Sequence, residues 1–237
     1  MQKVIHRAEE RGGADHGWLT TRHSFSFASW YEPTRMCFGA LRVLNDDIIA
    51  PSTGFGAHPH RDMEIVTIVM KGTVTHGDSM GNTGTVAAGD VQVMSAGTGV
   101  VHSEENASAD EPLALFQLWI EPRSKGITPR YAQHPFGFDV KYDGLVLLVS
   151  PDAQEKSLLV HQDAYISYGV LGKEGRCDYE LKNIAHGLYL FAIEGEVEVL
   201  GEQLSARDAI GISEEPNILI ESKGGAQILL IEVPLSW

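Results

Sequence analysis

Two short segments hold the residues of this chain whose types and spacing could support metal chemistry. They are His58-Pro59-His60 and His102-Ser103-Glu104, and each places two ligand-type residues one residue apart. On a β-strand, side chains at positions i and i+2 point to the same face, so each segment could direct two ligands inward from one strand. Two neighbouring strands of a barrel would then present three imidazoles and one carboxylate to one point. This set suits a first-row transition metal and leaves coordination positions open for a substrate.

The sequence around each segment predicts where these strands begin. The first segment lies in GFGAHPHRDMEIVTIVMKG (54–72), where glycines and a proline precede a strongly apolar run. The second lies in MSAGTGVVHSEEN (94–106), again a glycine-rich turn that leads into a strand. Both pairs are therefore expected at strand entrances, with Glu105 exposed to solvent.

The rest of the chain has the pattern of an all-β protein. Its 237 residues are 43% hydrophobic, enough for one large β domain or two of ordinary size. Short runs rich in Val, Ile, Thr and aromatic residues alternate with Gly, Asn and Asp turns, as in a sandwich or barrel. Helix signals at 150–156 and 182–185 are too short for more than a turn or two. A Pro-, Gly- and charge-rich stretch at 121–143 is expected to connect two units, 1–132 and 133–237.

The two units look like distant copies of one β unit. Residues 71–97 and 194–213 share a sequence of hairpin, turn and strand, with Gly72 and Asp90 matching Gly195 and Asp208. The second copy has neither His-x-His nor His-x-Glu. The ligand-type pairs are therefore expected to act in the first unit only.

Charge and composition exclude several classes of function. The formal net charge is −14 and no basic stripe is present, which argues against direct binding of nucleic acid. Neither a secretory signal nor an apolar run of membrane-spanning length is visible, so a soluble cytoplasmic protein is expected. Cys37 and Cys177 are far apart and predict two reduced, buried thiols rather than a disulfide framework.

Three other groups of residues invite a simpler interpretation. His76 and Asp78 form a further i, i+2 pair, which a solvated hairpin face explains better than a third metal pair does. His161-Gln162-Asp163 lies in the second copy and is expected to be structural. His16 and His23 flank an aromatic-rich arm whose rings are expected to pack between the two units. The rings of this arm are those of Trp18, Phe25, Phe27, Trp30 and Tyr31.

The motifs around the two pairs resemble those of the cupin superfamily, and within it they resemble the pirins, which carry two cupin units. The resemblance is carried by the segments 15–33, 55–82, 94–104, 115–120 and 150–167. It implies two consecutive cupin (jelly-roll) β-barrels packed within one chain. In many cupins a glutamate of the first motif, here Glu64, is a metal ligand. In pirins the ligands are instead both histidines of the first motif with the histidine and glutamate of the second, which here are His58, His60, His102 and Glu104.

The resemblance also implies a function, with one alternative. Some bacterial pirins similar to this chain are flavonol (quercetin) 2,3-dioxygenases, which open the flavonol ring with O₂ and release CO. By this resemblance Glu104 would be the catalytic base. The cofactor would be one divalent metal ion, with Fe(II) as the first choice and Cu, Ni, Zn, Mn and Co as alternatives. Other pirins are metal- and redox-dependent regulators that bind a protein partner. A monomer is expected, because the two barrels can cover each other.

Overall fold

In its described residues the chain forms mostly antiparallel β-sheets, and the helical structure there is limited to two short 3₁₀ turns. The structure is a computed structural model that describes residues 1–138 and 144–236. The strands in these residues are β1 Gln2–His6, β2 Gly12–Asp15, β3 Leu19–His23, β4 Leu41–Ile49, β5 Gly54–Lys71, β6 Thr73–Asp78, β7 Thr83–Ala87, β8 Asp90–Asn106, β9 Leu113–Ile120, β10 Arg130–Pro135, β11 Gly144–Ser150, β12 Leu158–Leu159, β13 Tyr165–Leu171, β14 Gly175–Glu180, β15 His186–Gly195, β16 Val197–Val199, β17 Glu202–Leu204, β18 Ala209–Ser213, β19 Asn217–Ser222 and β20 Ala226–Pro234.

One nine-stranded sheet makes up the N-terminal unit. Its order is β2-β3-β4-β9-β5-β8-β6-β7, and β10 adds to β8. The two longest strands, β5 and β8, pair with each other and carry the two ligand-type segments. Their ladder shifts register on both sides of the first segment, between Phe55 and His58 and between His60 and Asp62. Such irregularities bend a strand, which allows one long strand to serve two walls of a barrel.

The C-terminal unit consists of a seven-stranded sheet and a four-stranded sheet. The larger has the order β1-β18-β15-β20-β13-β11-β12 and the smaller has the order β14-β19-β16-β17. Strand β1 comes from the start of the chain yet pairs with β18, with Gln2 opposite Ser213. Strand β10 spans the expected boundary at 132/133 and pairs with the N-terminal sheet. The division into 1–132 and 133–237 stays a prediction. Strand β1 belongs to the first range by its residue numbers but to the C-terminal sheet by its pairing.

A continuous apolar core joins the two units. It includes Phe116 and Leu118 of the N-terminal sheet together with Tyr189, Phe191 and Leu229 of the C-terminal sheet. The rings of Phe116 and Phe191 pack edge to face with centroids 5.5 Å apart. The two sheets therefore share one close-packed interface of buried apolar side chains.

Two equivalent turns show the internal repeat in the structure. Gly72 has φ +82° and Gly195 has φ +76°, a conformation that glycine adopts without steric cost. Further along each copy, a backbone N–H donates to the carboxylate three residues later, from Ala87 to Asp90 and from Ser205 to Asp208. The same turn chemistry therefore serves both copies.

The expected connector and the weak helix signals have mixed outcomes. Within the stretch 121–143, Arg130–Pro135 form strand β10, and 139–143 lie outside the described residues. The expectation that this stretch connects two units stays a prediction. The signal at 150–156 yields a single 3₁₀ turn, Gln154–Lys156. The stretch 182–185 forms no helix. Cys177 is buried as expected, but Cys37 is exposed, because it lies in the loop that precedes β4.

Candidate metal centre

Three imidazoles meet at one end of the N-terminal barrel. His58 and His102 are direct partners in the β5–β8 ladder, and their ring centroids are 4.5 Å apart. His60 follows on the same strand, with its centroid 4.8 Å from that of His58 and 4.9 Å from that of His102. One ring nitrogen from each histidine lies within 4.8 Å of the others. The antiparallel pairing thus converts two separate sequence motifs into one three-imidazole cluster.

The hydrogen-bonding state of these rings leaves lone pairs available for a metal. His58 Nδ1 lies 2.8 Å from the carbonyl oxygen of Gly56, so its N–H donates there and Nε2 keeps its lone pair. His102 is only 2% exposed, and within the described part of the chain neither of its ring nitrogens has a hydrogen-bond partner. Two unpartnered buried nitrogens are costly unless a ligand satisfies them. The cluster therefore fits a bound transition-metal ion.

Two histidines of the cluster, His60 and His102, are also kept neutral, as metal ligation requires. Burial, aided by the charge of His58, lowers the pKa of His60 to about 4. Burial, followed by the charges of His58 and His60, lowers the pKa of His102 to about 3. At neutral pH both rings therefore present lone pairs rather than protons.

Glu104 lies next to this cluster and is held by neutral donors. Thr67 Oγ1 donates to Glu104 Oε1 over 3.0 Å, and Gln92 Nε2 donates to the same oxygen. Gln117 Nε2 donates to Glu104 Oε2 over 2.8 Å, and Trp119 Nε1 in turn donates to Gln117 Oε1 over 3.0 Å. Burial raises the pKa of the Glu104 carboxyl, although the hydrogen bond from Thr67 opposes that shift. The result is an oriented carboxylate that is more basic than an exposed one.

A second group of ligand-type residues shares His102 with the first. One ligand atom from each of His76, His102 and Glu104 lies within 4.8 Å of the others, and all three residues are buried. His102 thus belongs to both groups, and in this structure Glu104 is grouped with His76 and His102 rather than with His58 and His60. Among the described residues, both such groups belong to the N-terminal unit.

The expectation of a solvated hairpin for His76 and Asp78 was wrong. Both side chains are fully buried, and His76 Nε2 is 3.4 Å from Asp78 Oδ2. The His76 ring stacks on Tyr131 of β10, with centroids 4.4 Å apart and an angle of 19° between the rings. The pairing of β6 with β8 sets Asp78 opposite His102, so the hairpin turns its histidine into the site instead of towards solvent.

Glu64 takes part in neither group of ligand-type residues within the described ranges. It is fully buried, and its Oε2 accepts a hydrogen bond from Ser95 Oγ at 2.8 Å and one from the backbone N–H of His161 at 3.1 Å. Gln162 Nε2 donates to the carbonyl of Glu121 over 2.8 Å. The segment His161–Asp163 thus fastens the second unit to the first, in keeping with a structural role. Glu105 is exposed, as expected.

Of the rings in the aromatic arm, which were all expected to pack between the two units, most pack elsewhere. Phe25 does pack between the units, with its ring centroid 5.2 Å from that of Tyr189. The other rings do not, because β2 and β3 carry the arm onto the N-terminal sheet. Trp18 packs edge to face on Phe55 at 5.2 Å, and Phe27 packs in the same way on Trp119 at 5.4 Å. Tyr31 is 70% exposed.

Sequence reasoning missed the polar residues that surround Glu104. Thr67, Gln92 and Gln117 each interrupt an otherwise apolar strand, and all three point into the barrel. Buried polar side chains need partners. A polar residue at an interior position of an apolar strand was therefore the signal that could have identified them.

Comparison with known proteins agrees with this fold. A sequence model described as Pirin matches residues 4–120, and one described as a quercetinase C-terminal cupin domain matches residues 147–233. A protein of Escherichia coli K12 named quercetin 2,3-dioxygenase is 45% identical over 97% of this chain and 98% of its own length. A pirin-like protein of Caulobacter vibrioides is 45% identical over 94% of this chain and 96% of its own length.

A solved structure extends the comparison to three dimensions. The bacterial pirin YhhW of Escherichia coli, in complex with nickel(II), superposes with a TM-score of 0.93 at 44% identity, covering 98% of this chain and 99% of that one. The expectation of an all-β chain with two consecutive cupin barrels is thereby confirmed. No helix of the described residues has the length and apolar character needed to cross a membrane.

Proposed function

Because this chain belongs to the pirin family, we propose that it is a metal-dependent dioxygenase that opens the ring of a flavonol with O₂ and releases CO. The proposed ligands of one divalent metal ion, Fe(II) foremost, are His58, His60, His102 and Glu104. The observation that carries the proposal is the buried, unpartnered imidazole of His102 between two neighbouring imidazoles and an oriented carboxylate. The relatives' names supply the reaction class.

The metal, when bound, would supply Lewis acidity at the substrate oxygen and electron transfer to O₂. The protein's own share begins with Glu104, which takes the proton of the flavonol hydroxyl on the ring carbon next to the carbonyl. Its raised pKa suits this role, since a base works best when its pKa approaches the operating pH. The amides of Gln92 and Gln117 hold the carboxylate in place, so little reorganisation is needed on proton transfer.

Aromatic side chains pack beside two histidines of the cluster. The Trp119 ring packs edge to face on His60 with centroids 5.0 Å apart, and Phe55 lies 6.2 Å from His58. A site with apolar walls strengthens electrostatic interactions and protects a reactive, deprotonated substrate from side reactions. The same rings offer flat surfaces on which a planar substrate could lie.

The decisive experiment is turnover of quercetin by the metal-loaded protein. We expect loss of flavonol absorbance and release of CO in air, and neither under anaerobic conditions, with Fe(II), Ni(II), Cu(II), Mn(II) or Co(II) tested one at a time. Absence of O₂-dependent turnover with every one of these ions would refute the proposal. It would leave the redox-dependent binding of a protein partner as the function to test.

Glu104→Gln tests the role of Glu104 as a base, provided that the metal content of the variant is measured and matched to that of the wild-type protein, because Glu104 is also a proposed ligand. The substitution retains the shape of the side chain and removes its basicity, so we expect kcat to fall by about 10²–10⁴. Glu105→Gln makes the same change at the neighbouring exposed residue and should retain the wild-type rate. Full activity of Glu104→Gln would eliminate the proposed proton transfer but not the dioxygenase reaction.

A further inference from the structure

Strand β10 brings a residue to the candidate metal centre from outside both ranges that the family models match. Its residues, Arg130–Pro135, lie between the matched ranges 4–120 and 147–233. The strand pairs with β8, one of the two strands that carry the histidine cluster, and it places Tyr131 next to the site. The metal centre therefore has a neighbour that neither cupin motif includes.

Contacts with both units fix this strand. Arg130 Nη1 donates to the carbonyl oxygen of Leu159 over 2.7 Å, and Leu159 belongs to β12 of the C-terminal unit. Gln133 Nε2 donates to the carbonyl oxygen of Thr85 over 3.0 Å, and Thr85 belongs to β7 of the N-terminal sheet. Tyr131 lies between these two anchoring residues, so contacts with both units set its position.

The Tyr131 hydroxyl contacts the amide that holds Glu104. It donates to Gln92 Oε1 over 3.1 Å, and Gln92 Nε2 in turn donates to Glu104 Oε1. Gln92 Nε2 also donates to Thr67 Oγ1 over 3.2 Å, and Thr67 itself donates to Glu104. Because the amide nitrogen faces the carboxylate, Gln92 Oε1 faces away from it and towards Tyr131.

The buried oxygen of Gln92 depends on this hydroxyl. Gln92 is 1% exposed, and among the residues that the structure describes Tyr131 is the one hydrogen-bond donor to its Oε1. A buried amide oxygen without a donor is destabilising. Loss of the hydroxyl would therefore favour rotation of the amide towards another partner and away from Glu104.

Gln133 competes for the same hydrogen. The Tyr131 hydroxyl also lies 2.7 Å from Gln133 Oε1, so one O–H group faces two amide oxygens. Gln133 is exposed and water can donate to its oxygen, whereas Gln92 is buried. The two contacts imply different roles for Tyr131. The contact with Gln133 would only attach β10 to the β6–β7 hairpin, and the contact with Gln92 would orient Glu104.

We infer that Tyr131 is a positioning residue of the metal centre, which orients Glu104 through the amide of Gln92. The inference rests on the proposed function, because it takes Glu104 as a metal ligand. The ring of Tyr131 stacks on His76 with centroids 4.4 Å apart, which holds the hydroxyl in place. A carboxylate that is oriented before the ion binds loses less conformational freedom on binding, so its supporting hydrogen bonds raise the affinity for metal.

Calorimetric titration with Ni(II) tests the inference on the full-length protein. Tyr131→Phe retains the ring that stacks on His76 and removes only the hydroxyl. We expect it to weaken Ni(II) binding about threefold to tenfold, the effect of about one neutral hydrogen bond. Tyr168→Phe is the matched control, because the Tyr168 hydroxyl also donates to a glutamine, Gln227, but in the C-terminal unit. It should bind Ni(II) as the wild-type protein does.

A double-mutant cycle shows whether Tyr131 acts through Gln92. Gln92→Leu removes a donor to Glu104 and should weaken Ni(II) binding more than Tyr131→Phe does. In the Gln92→Leu background, Tyr131→Phe should have no further effect, because no amide is left to orient. Gln133→Leu leaves the hydroxyl to Gln92 alone and should retain at least the wild-type affinity.

The visible absorption spectrum of the Co(II)-loaded protein provides a second readout, since it reports the arrangement of ligands around the ion rather than the stability of the fold. The spectrum should change in Tyr131→Phe and stay unchanged in Tyr168→Phe. An unchanged Ni(II) affinity or Co(II) spectrum of Tyr131→Phe would overturn the inference. An equal loss of affinity in Gln133→Leu, or a further loss in the Gln92→Leu background, would also overturn it.

These outcomes separate the inference from the proposed function. If Tyr131→Phe weakens Ni(II) binding through Gln92 but quercetin is not turned over, the inference holds and the dioxygenase proposal fails. If the wild-type protein turns over quercetin and Tyr131→Phe binds Ni(II) as tightly as the wild-type protein, the inference fails and the dioxygenase proposal stands.

Discussion

In the metal-free protein, protonation of His102 should favour unfolding when the pH falls from 7 to 5. Its pKa is about 3 in the folded protein, because the ring is buried beside His58 and His60, and it returns to an ordinary value near 6.5 when the chain unfolds. Between these two values the unfolded chain binds a proton that the folded protein does not. Acid therefore favours unfolding over this whole range.

The size of this effect follows from the difference between the two pKa values. At pH 5 the folded ring is still neutral and the unfolded ring is almost fully protonated. The free energy of unfolding should be about 2 kcal/mol lower at pH 5 than at pH 7 through His102 alone. His60 acts in the same direction, because its pKa is lowered to about 4, but it is half-exposed and contributes less.

The assay compares urea denaturation of the wild-type protein and His102→Gln in the presence of a chelator, at both pH values. We expect the pH-dependent loss to be about 2 kcal/mol smaller in the variant, which has no imidazole to protonate at this position. His16→Gln removes an exposed imidazole outside the cluster and serves as the control. Equal losses in the wild-type protein and His102→Gln would refute the conclusion that burial keeps this ring neutral.

Three further predictions concern the core, one glycine and the positioning of Glu104. Phe116→Ala removes a ring that packs on Phe191 between the two units. The free energy of unfolding, measured by urea titration, should therefore fall by about 3–5 kcal/mol. A loss below about 1 kcal/mol would mean that the stability of the two units does not depend on this contact. Gly97→Ala should destabilise the protein by more than about 1 kcal/mol in the same assay, because Gly97 has φ +46° and an added Cβ would clash with the carbonyl oxygen of Ile127. Gly224→Ala, where the space is open, should be tolerated, and equal effects of the two substitutions would contradict the steric argument. Gln117→Leu removes a hydrogen-bond donor to Glu104 and should weaken Ni(II) binding about 10–100-fold in calorimetry. Gln203→Leu, at an exposed residue, should leave the Ni(II) affinity unchanged. An unchanged Ni(II) affinity of Gln117→Leu would show that Glu104 does not need this hydrogen bond to bind the metal.

Much of the site could be predicted because it depends on local geometry. The alternation of side chains along a strand is a property of the backbone, so the spacing of His58 with His60 and of His102 with Glu104 was enough to place each pair on one face. The repeated turns could be recognised for the same reason, since Gly72 and Gly195 require a local backbone conformation. The all-β fold followed from the alternation of apolar runs with turn residues.

What could not be predicted depends on contacts between strands that are distant in the sequence. The pairing of β6 with β8 buries His76 beside His102, and the pairing of β10 with β8 brings Tyr131 onto the His76 ring. The grouping of Glu104 with His76 also results from this register. The local sequence of the β6–β7 hairpin does not reveal that β8 pairs with it, so it predicts that His76 and Asp78 are exposed to solvent.

The sequence alone thus determined the fold class and the four residues proposed to hold a metal, because strand periodicity and ligand chemistry are local properties. Only the tertiary structure decided what surrounds them: the amides that orient Glu104, the burial of His102 and the contact of Tyr131 with Gln92. Burial and the lack of a hydrogen-bond partner arise when sheets close on each other, and no spacing within one strand encodes them.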